Sequence, residues 1–257
     1  MAGKFTFTFR LGNKSEAPLQ PTPEVRTAAT TGTRNSGVTA MGAANPSATE
    51  PIPTVVPVLL SLDLFPTRIW QAHLDPLVPH LDRWVKHVLA MRAANPEPAG
   101  RTVRQGWNSE DMSVLEQPDF AALRYAIRAA CASALAEMGH GERAFYLQSW
   151  VNLHDRGGFN FLHMHEGSLL SGSFYLQVPP GSGEFVFRDP RPGVLHGFIK
   201  GGVPNGHADI HLTPSAGLLV LFPCWMEHYV EPHDSDEPRI TIAFNANSPD
   251  GEPSATP

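Results

Sequence analysis

The chain has 257 residues, with 19 Lys and Arg against 25 Asp and Glu, so its formal net charge at pH 7 is −6. This balance argues against a nucleic-acid or anionic membrane partner, because both require clustered basic residues. No apolar run approaches the roughly 18 residues that span a bilayer. We therefore expect no nucleic-acid partner, no membrane partner and a cytoplasmic location. Two cysteines are too few for a disulfide scaffold.

The composition divides the chain into a tail and a folded region. Thr27–Glu50 consists mostly of small and polar residues, and such a segment cannot bury enough apolar surface to offset the entropy of ordering it. We predict a disordered low-complexity tail over residues 1–56, a folded domain over 57–248 and a flexible tail over 249–257. For the N-terminal segment, an organelle transit peptide and a short strand at Lys4–Arg10 are the alternatives.

Two helices are predicted before the middle of the chain. From Pro66 to Ala94 the apolar residues recur at steps of three and four, which is typical of one face of an α-helix. Pro76 and Pro79 interrupt this run and predict a short helix followed by a longer one. The same spacing predicts a second helix over Pro118–Met138, which ends before Gly139.

The second half of the chain has the pattern of short strands. From Ala144 onward, apolar segments alternate with Gly- and Pro-rich turns. We expect His154–Gly158 to be a turn and Gly106–Ser109 to be a loop. The fold class predicted is mainly β with flanking helices: a double-stranded β-helix (jelly-roll) core packed against two N-terminal helices. The predicted strands are Phe159–Met164, Leu169–Val178, Glu184–Arg188, Ala208–Leu212, Gly217–Phe222 and Arg239–Ala246.

Three histidines form the first candidate site. His163 and His165 are two residues apart in a predicted strand, so both imidazoles point to the same face and can reach one metal. His228 follows another predicted strand 63 residues beyond His165. Distant strands lie side by side in a jelly roll, so His228 is a reasonable third ligand. A pair of this kind alone is more often structural than ligating.

A basic residue opens the last predicted strand. Arg239 and Thr241 point to the same face of that strand, and a guanidinium fork beside a hydroxyl is suited to bidentate binding of a carboxylate. Two close histidines, then a distant histidine and then the Arg-x-Thr pair form a combined motif. This motif indicates a specific site more strongly than any one of its parts.

The segment Trp150–Asn245 resembles the Fe(II)/2-oxoglutarate-dependent dioxygenases. It is most similar to a bacterial and phage group of 2-oxoglutarate oxygenases that is related to the prolyl hydroxylases, and the resemblance covers roughly residues 57–248. The matching residues are Gly106–Ser109, Trp150–Asn152, His163–His165, Ser168–Tyr175, Phe187–Arg191, Leu221–Pro223, His228 and Arg239–Asn245.

The resemblance implies a jelly-roll core that holds one Fe(II). His163 would be the first ligand and His228 the distal histidine. Arg239, together with Thr241 and Tyr175, would bind the distal carboxylate of 2-oxoglutarate, with O2 as the second co-substrate. The implied reaction is hydroxylation of a peptide, an amino acid or a small molecule, with release of succinate and CO2.

The sequence departs from the superfamily pattern at one ligand. His165 holds the position where a carboxylate usually completes the metal triad, and three neutral imidazoles leave the site one charge unit more positive. Glu166 is the alternative third ligand, although on a regular strand it points to the opposite face. A β-bulge would turn it inward. The alternation favours His165 over Glu166.

Two other classes of function fit parts of the pattern. A cupin-like metal dioxygenase would use three histidines without 2-oxoglutarate, but it has no need of the Arg239 and Thr241 pair. A non-catalytic jelly-roll binding protein would use the histidines structurally and bind neither iron nor 2-oxoglutarate tightly. The sequence defines neither the substrate nor the oligomeric state.

Overall fold

The structure is a computed structural model that describes residues 66–195 and 209–249. The predictions for residues 1–65 and 250–257 lie outside these ranges, so the domain boundaries stay predictions. The helices are α1 (Leu81–Ala94), α2 (Ala121–Glu137) and α3 (Pro192–Leu195). The strands are β1 (Trp70–His73), β2 (Val103–Asn108), β3 (Tyr146–His163), β4 (Leu170–Gln177), β5 (Phe185–Arg188), β6 (Asp209–Leu212), β7 (Leu218–Pro223), β8 (His228–Val230) and β9 (Arg239–Asn247).

Helices α1 and α2 form the predicted helical layer. Each turns a stripe of apolar residues toward the sheet, at the spacing of three and four that their sequences show. A short 3-10 helix at Pro118–Phe120 precedes α2, which places proline in the first turn as expected. In the described ranges, no helix is long and apolar enough to cross a membrane. The buried residues of the stripes are Leu81, Trp84, Val88, Leu123, Ile127, Cys131, Ala134 and Leu135.

The helical prediction was wrong at the start of this region. Trp70–His73 is a strand, β1, which pairs antiparallel with β7. Pairing satisfies the main-chain groups of β7 along one edge, and this tertiary contact overrides the local helical period. The break at the prolines was placed correctly, because a 3-10 helix over Asp75–His80 contains both and α1 begins at Leu81.

The nine strands of the described ranges form one curled antiparallel sheet. Its order is β1-β7-β4-β9-β3-β8-β5-β6, with β2 paired to β3. The long strand β3 joins the two halves of the sheet: Tyr146–His154 pairs with β9, whereas Asn160 and His163 pair with β8. One strand thus passes from one layer to the other, as a double-stranded β-helix requires. The predicted fold class is confirmed.

The bend of β3 corrects two predictions. His154–Gly158 is not a turn that reverses the chain; it is a bend inside β3, where Gly157 has φ 80° and donates its N–H to the carbonyl of His233 at 2.6 Å. Glycine tolerates this φ, so the strand changes direction without ending. Gly106–Ser109 was expected to be a loop, but β2 extends through Asn108 beside β3.

Both faces of β7 are buried. On β7, Leu219 and Leu221 pack against the helices, whereas Leu218, Val220 and Phe222 point into the curled sheet. Burial on both faces explains why this strand is apolar at successive positions. The inner face also presents the candidate site residues.

Candidate active site

Three imidazoles converge on the inner face where β3 meets β8. His163 ends β3 and is the register partner of His228, the first residue of β8. Their ring centroids lie 4.3 Å apart, and His165 follows two residues later. One ring nitrogen from each of the three lies within 4.8 Å of the other two. Nitrogens this close can bind one metal ion, because metal–nitrogen bonds are about 2 Å long.

Hydrogen bonds orient two of the rings. The Nδ1 atoms of His163 and His228 lie 2.7 Å and 2.9 Å from the carbonyl oxygens of Phe161 and Met226. An N–H that donates to such a carbonyl fixes the tautomer and leaves Nε2 with a free lone pair, which is the arrangement of a metal ligand. The main-chain N–H of His165 donates to the carbonyl of Cys224 at 2.9 Å and anchors its position.

Burial keeps the three histidines neutral. Loss of solvent lowers the pKa of His163, lowers that of His165 to about 3 and holds that of His228 well below its ordinary value. Their mutual proximity adds to the effect on His165 and His228. Since only neutral imidazole offers a lone pair to a metal, the cluster is in its ligating form at pH 7.

The alternative third ligand does not join the cluster. Glu166 is exposed, whereas the ring of His165 packs on Trp150 with 5.7 Å between centroids. The geometry therefore favours His165 over Glu166.

The predicted carboxylate-binding group is buried beside the cluster. Arg239 begins β9, is 1% exposed, and has its Cζ 5.1 Å from the ring centroid of Tyr175. Burial lowers the pKa of Arg239 and raises that of Tyr175. Among the described residues, Arg239 Nε and Tyr175 Oη make no hydrogen bond of good geometry, although the two side chains lie close enough for each to shift the pKa of the other. Buried donors without partners are rare in folded proteins, so both atoms fit a ligand with acceptor oxygens.

A polar row on the inner face joins these residues. Asn108, Asn152, Thr241 and Tyr175 are successive register partners across β2, β3, β9 and β4. The cavity beside this row has a volume of about 420 Å³, counted with its opening to solvent. It is lined by Thr102, Trp150, Asn152, Asn160, His163, His165, Gly172, Ser173, Phe185, Phe222, His228, Val230, Arg239, Thr241 and Ala243.

Sequence reasoning missed part of this site. His154 stands two and four residues after Asn152 and Trp150 in β3, so period-two alternation would have placed it on the inner face. It contacts Arg239, as described below. His211 lies in a predicted strand and was a further candidate to line the pocket. It does not line the cavity but pairs with Glu184, with 3.1 Å between Nδ1 and Oε2.

Comparison with known proteins shows which family the segment around this site is similar to. Residues 148–245 match the family model described as "Putative 2OG-Fe(II) oxygenase". The match confirms the resemblance to the Fe(II)/2-oxoglutarate-dependent oxygenase superfamily that the sequence motifs indicate. No functionally curated protein matches the chain.

Solved structures of low sequence identity share the fold. A prolyl-4-hydroxylase of Pseudomonas putida superposes with a TM-score of 0.50 at 18% identity, over 71% of this chain and 93% of that one. The epimerase SnoN, in complex with Fe3+, alpha ketoglutarate and nogalamycin RO, superposes with a TM-score of 0.52 at 15% identity, over 74% of this chain and 83% of that one.

Proposed function

We propose that the protein is a non-haem Fe(II)- and 2-oxoglutarate-dependent oxygenase that hydroxylates a peptide, an amino acid or a small molecule. The observation that carries this proposal is the meeting, in one cavity, of three neutral imidazoles and one buried guanidinium that has no carboxylate partner among the described residues. The family match over residues 148–245 supports it. The cytoplasmic location stays a prediction.

The proposed metal ligands are the Nε2 atoms of His163 and His228 and a ring nitrogen of His165. In His163 and His228, Nδ1–H donates a hydrogen bond to a main-chain carbonyl, which leaves Nε2 free to bind the metal. Imidazole is a suitable ligand for iron. With three neutral ligands, the net charge of Fe(II) and its ligands is that of the ion itself. It is one unit more positive than in a triad that contains a carboxylate.

The proposed 2-oxoglutarate site is built from Arg239, Thr241 and Tyr175. The diacid has two carboxylates, and a buried guanidinium forms strong charge-assisted hydrogen bonds with one of them. Thr241 lies between Tyr175 and Asn152 in register and lines the cavity with Arg239. Its hydroxyl and the phenol add donors to the same carboxylate.

When bound, Fe(II), 2-oxoglutarate and O2 would supply the oxidant for replacing a substrate C–H by C–OH, with 2-oxoglutarate converted to succinate and CO2. The chain's own residues orient the co-substrate and limit access of water. Phe185, Phe222 and Val230 form an apolar wall beside His228, and such a wall protects a reactive centre from side reactions. Hydroxylation is the proposed outcome, although the names of the structural neighbours include both a hydroxylase and an epimerase.

The third histidine also favours a second candidate, a cupin-like dioxygenase that does not use 2-oxoglutarate. Activity measurements separate the two. Iron-loaded protein incubated with 2-oxoglutarate in air is expected to form succinate slowly even without substrate, and His228→Ala is expected to form none. Succinate formation no greater than that of the variant would refute the proposal. Consumption of O2 that is independent of 2-oxoglutarate would support the cupin-like alternative.

A further inference from the structure

A buried histidine outside the proposed metal cluster contacts the proposed 2-oxoglutarate-binding arginine. His154 lies in β3, is fully buried, and is the register partner of Arg239 in β9. Its Nδ1 is 3.2 Å from Arg239 Nη1, and its Nε2 is 2.6 Å from Asn160 Oδ1. The Nδ2 of Asn160 donates in turn to Thr102 Oγ1 at 2.7 Å.

The chemistry of arginine fixes the direction of this chain of hydrogen bonds. A guanidinium only donates, so His154 Nδ1 has to accept, and the proton of the neutral ring is then on Nε2. Nε2–H requires an acceptor, which Asn160 supplies as Oδ1. The amide N–H2 of Asn160 is then left to donate to Thr102. Reversing the amide would place its N–H2 opposite Nε2–H of His154, and moving the ring proton to Nδ1 to avoid this would place it opposite Arg239 Nη1.

His154 has to be neutral to accept from Arg239. Burial, and next the charge of Arg239, lower the pKa of His154 to about 3. The ring therefore carries no proton on Nδ1 at neutral pH. The lone pair that faces Nη1 is therefore available to accept a hydrogen bond at neutral pH.

The contact restricts how the guanidinium lies in its pocket. One edge is held through Nη1 by His154, and the ring of Tyr175 packs against it. Arg239 Nε, on another edge, has no partner among the described residues. A planar fork held at one end presents its remaining N–H groups in a fixed direction, and this reduces the entropy lost when a carboxylate binds.

We propose that His154 is a positioning residue that orients Arg239 to bind the distal carboxylate of 2-oxoglutarate, and that Asn160 holds its tautomer. This inference rests on the proposed function. It assigns no contact between His154 and the substrate or the metal. Its consequence is that the affinity for 2-oxoglutarate depends on the hydrogen bond at Nδ1, independently of the affinity for iron.

Three substitutions of His154 separate the two hydrogen bonds. In His154→Asn, the amide oxygen stands near the position of Nδ1 and still accepts from Arg239. In His154→Gln, the amide stands near the position of Nε2 and keeps only the contact with Asn160. His154→Leu removes both. The control is His87→Leu: His87 is a partly buried histidine on α1 that binds Gln117 at 2.7 Å and lies away from the cavity.

The measurements are anaerobic titrations of Fe(II), and then of 2-oxoglutarate, into wild type and each variant. We expect His154→Leu to weaken 2-oxoglutarate binding about 10- to 100-fold, as loss of a hydrogen bond to a charged group does. His154→Gln should behave similarly, whereas His154→Asn should recover most of the affinity. Fe(II) affinity should be unchanged in all of them. With turnover, KM for 2-oxoglutarate should rise more than kcat falls.

The outcomes distinguish this inference from the function on which it rests. Iron-loaded wild type that does not bind 2-oxoglutarate refutes the proposed function and this inference with it. Wild type that binds 2-oxoglutarate, with His154→Leu binding it equally well, refutes the inference alone. If His154→Asn and His154→Gln lose equal affinity, or if His87→Leu loses as much as His154→Leu, the effect is a general loss of packing and the inference is also wrong.

Discussion

Replacing Arg239 by methionine should affect the ligand-bound protein more than the free protein. Arg239 is buried, and it has one hydrogen bond to a neutral histidine and no partner at Nε among the described residues. An unsatisfied buried donor costs about 1–3 kcal/mol, and the bond between the charged guanidinium and His154 contributes about 1.5–3 kcal/mol. Methionine is of similar length and removes both contributions, but it leaves the buried Nδ1 of His154 without a donor. Because the gain and the loss are of similar size, the free energy of unfolding of Arg239→Met without ligands should lie within about 2 kcal/mol of the wild-type value.

The same variant should lose its response to 2-oxoglutarate. A ligand present at 100 times its dissociation constant stabilises a protein by about 2.7 kcal/mol, so the wild type with iron should gain about this amount. Arg239→Met should gain almost nothing, because the guanidinium that holds the carboxylate is absent. Urea unfolding under anaerobic conditions, with and without 2-oxoglutarate, measures both effects in one experiment.

Arg92→Met is the matched control. Arg92 pairs with both oxygens of Asp155 at 2.8 Å and 2.7 Å on the protein surface. Its loss should destabilise the protein by about 0.5–1 kcal/mol and leave the response to 2-oxoglutarate intact. The reasoning would be refuted if Arg239→Met changed the free energy of unfolding of the free protein by much more than about 2 kcal/mol, or if 2-oxoglutarate stabilised Arg239→Met as much as wild type.

Three further predictions concern the metal site, the close approach of β2 to β3 and the two cysteine thiols. His228→Ala should abolish the rise in melting temperature that Fe(II) produces in wild type, and an equal rise in the variant would exclude His228 as a ligand. Gly106→Ala should lower the free energy of unfolding by about 1–3 kcal/mol or more, since its Cβ would overlap the carbonyl oxygen of Leu153. Gly193→Ala, whose Cβ meets nothing within 4 Å, should be near neutral in the same urea titration. Burial raises the pKa of Cys131 to about 12 and also raises that of Cys224. Because a thiol reacts as its thiolate, a disulfide reagent at pH 8 should label partly exposed Cys224 and leave Cys131 unlabelled until the chain unfolds. Rapid labelling of Cys131 in the native protein would contradict its burial.

The inner face of β9 was predictable because alternation is a local property. Arg239, Thr241 and Ala243 line the cavity, whereas Ile240 and Ile242 pack toward the helices. The apolar and polar residues of the sequence already alternate in this way. Because successive side chains of a strand point to opposite faces of the sheet, this alternation is enough to predict which residues share a face.

Elements stabilised by distant contacts were not predictable in the same way. Trp70–His73 has a helical period, but it forms β1 because the edge of β7, about 150 residues later, offers main-chain groups to pair with. The glycines at 157 and 158 resemble a turn. Only the pairing of β3 with β9 on one side and with β8 on the other shows that the strand continues through them.

The positioning role proposed for His154 also needed the structure. In the sequence it appears as one of several histidines near glycines, with no spacing that links it to Arg239, 85 residues away. The link comes from the register of β3 with β9, which places the two residues opposite each other. Register of this kind depends on the whole sheet and is not visible in a short motif.

The central claim is that three imidazoles hold Fe(II) next to an arginine that holds 2-oxoglutarate. The most direct test is an anaerobic titration of the iron-loaded protein with 2-oxoglutarate, followed by visible absorption. Chelation of iron by the keto acid gives a charge-transfer band, and we predict that this band appears and saturates at one 2-oxoglutarate per chain. Protein that binds iron but gives no band at saturating 2-oxoglutarate would contradict the claim.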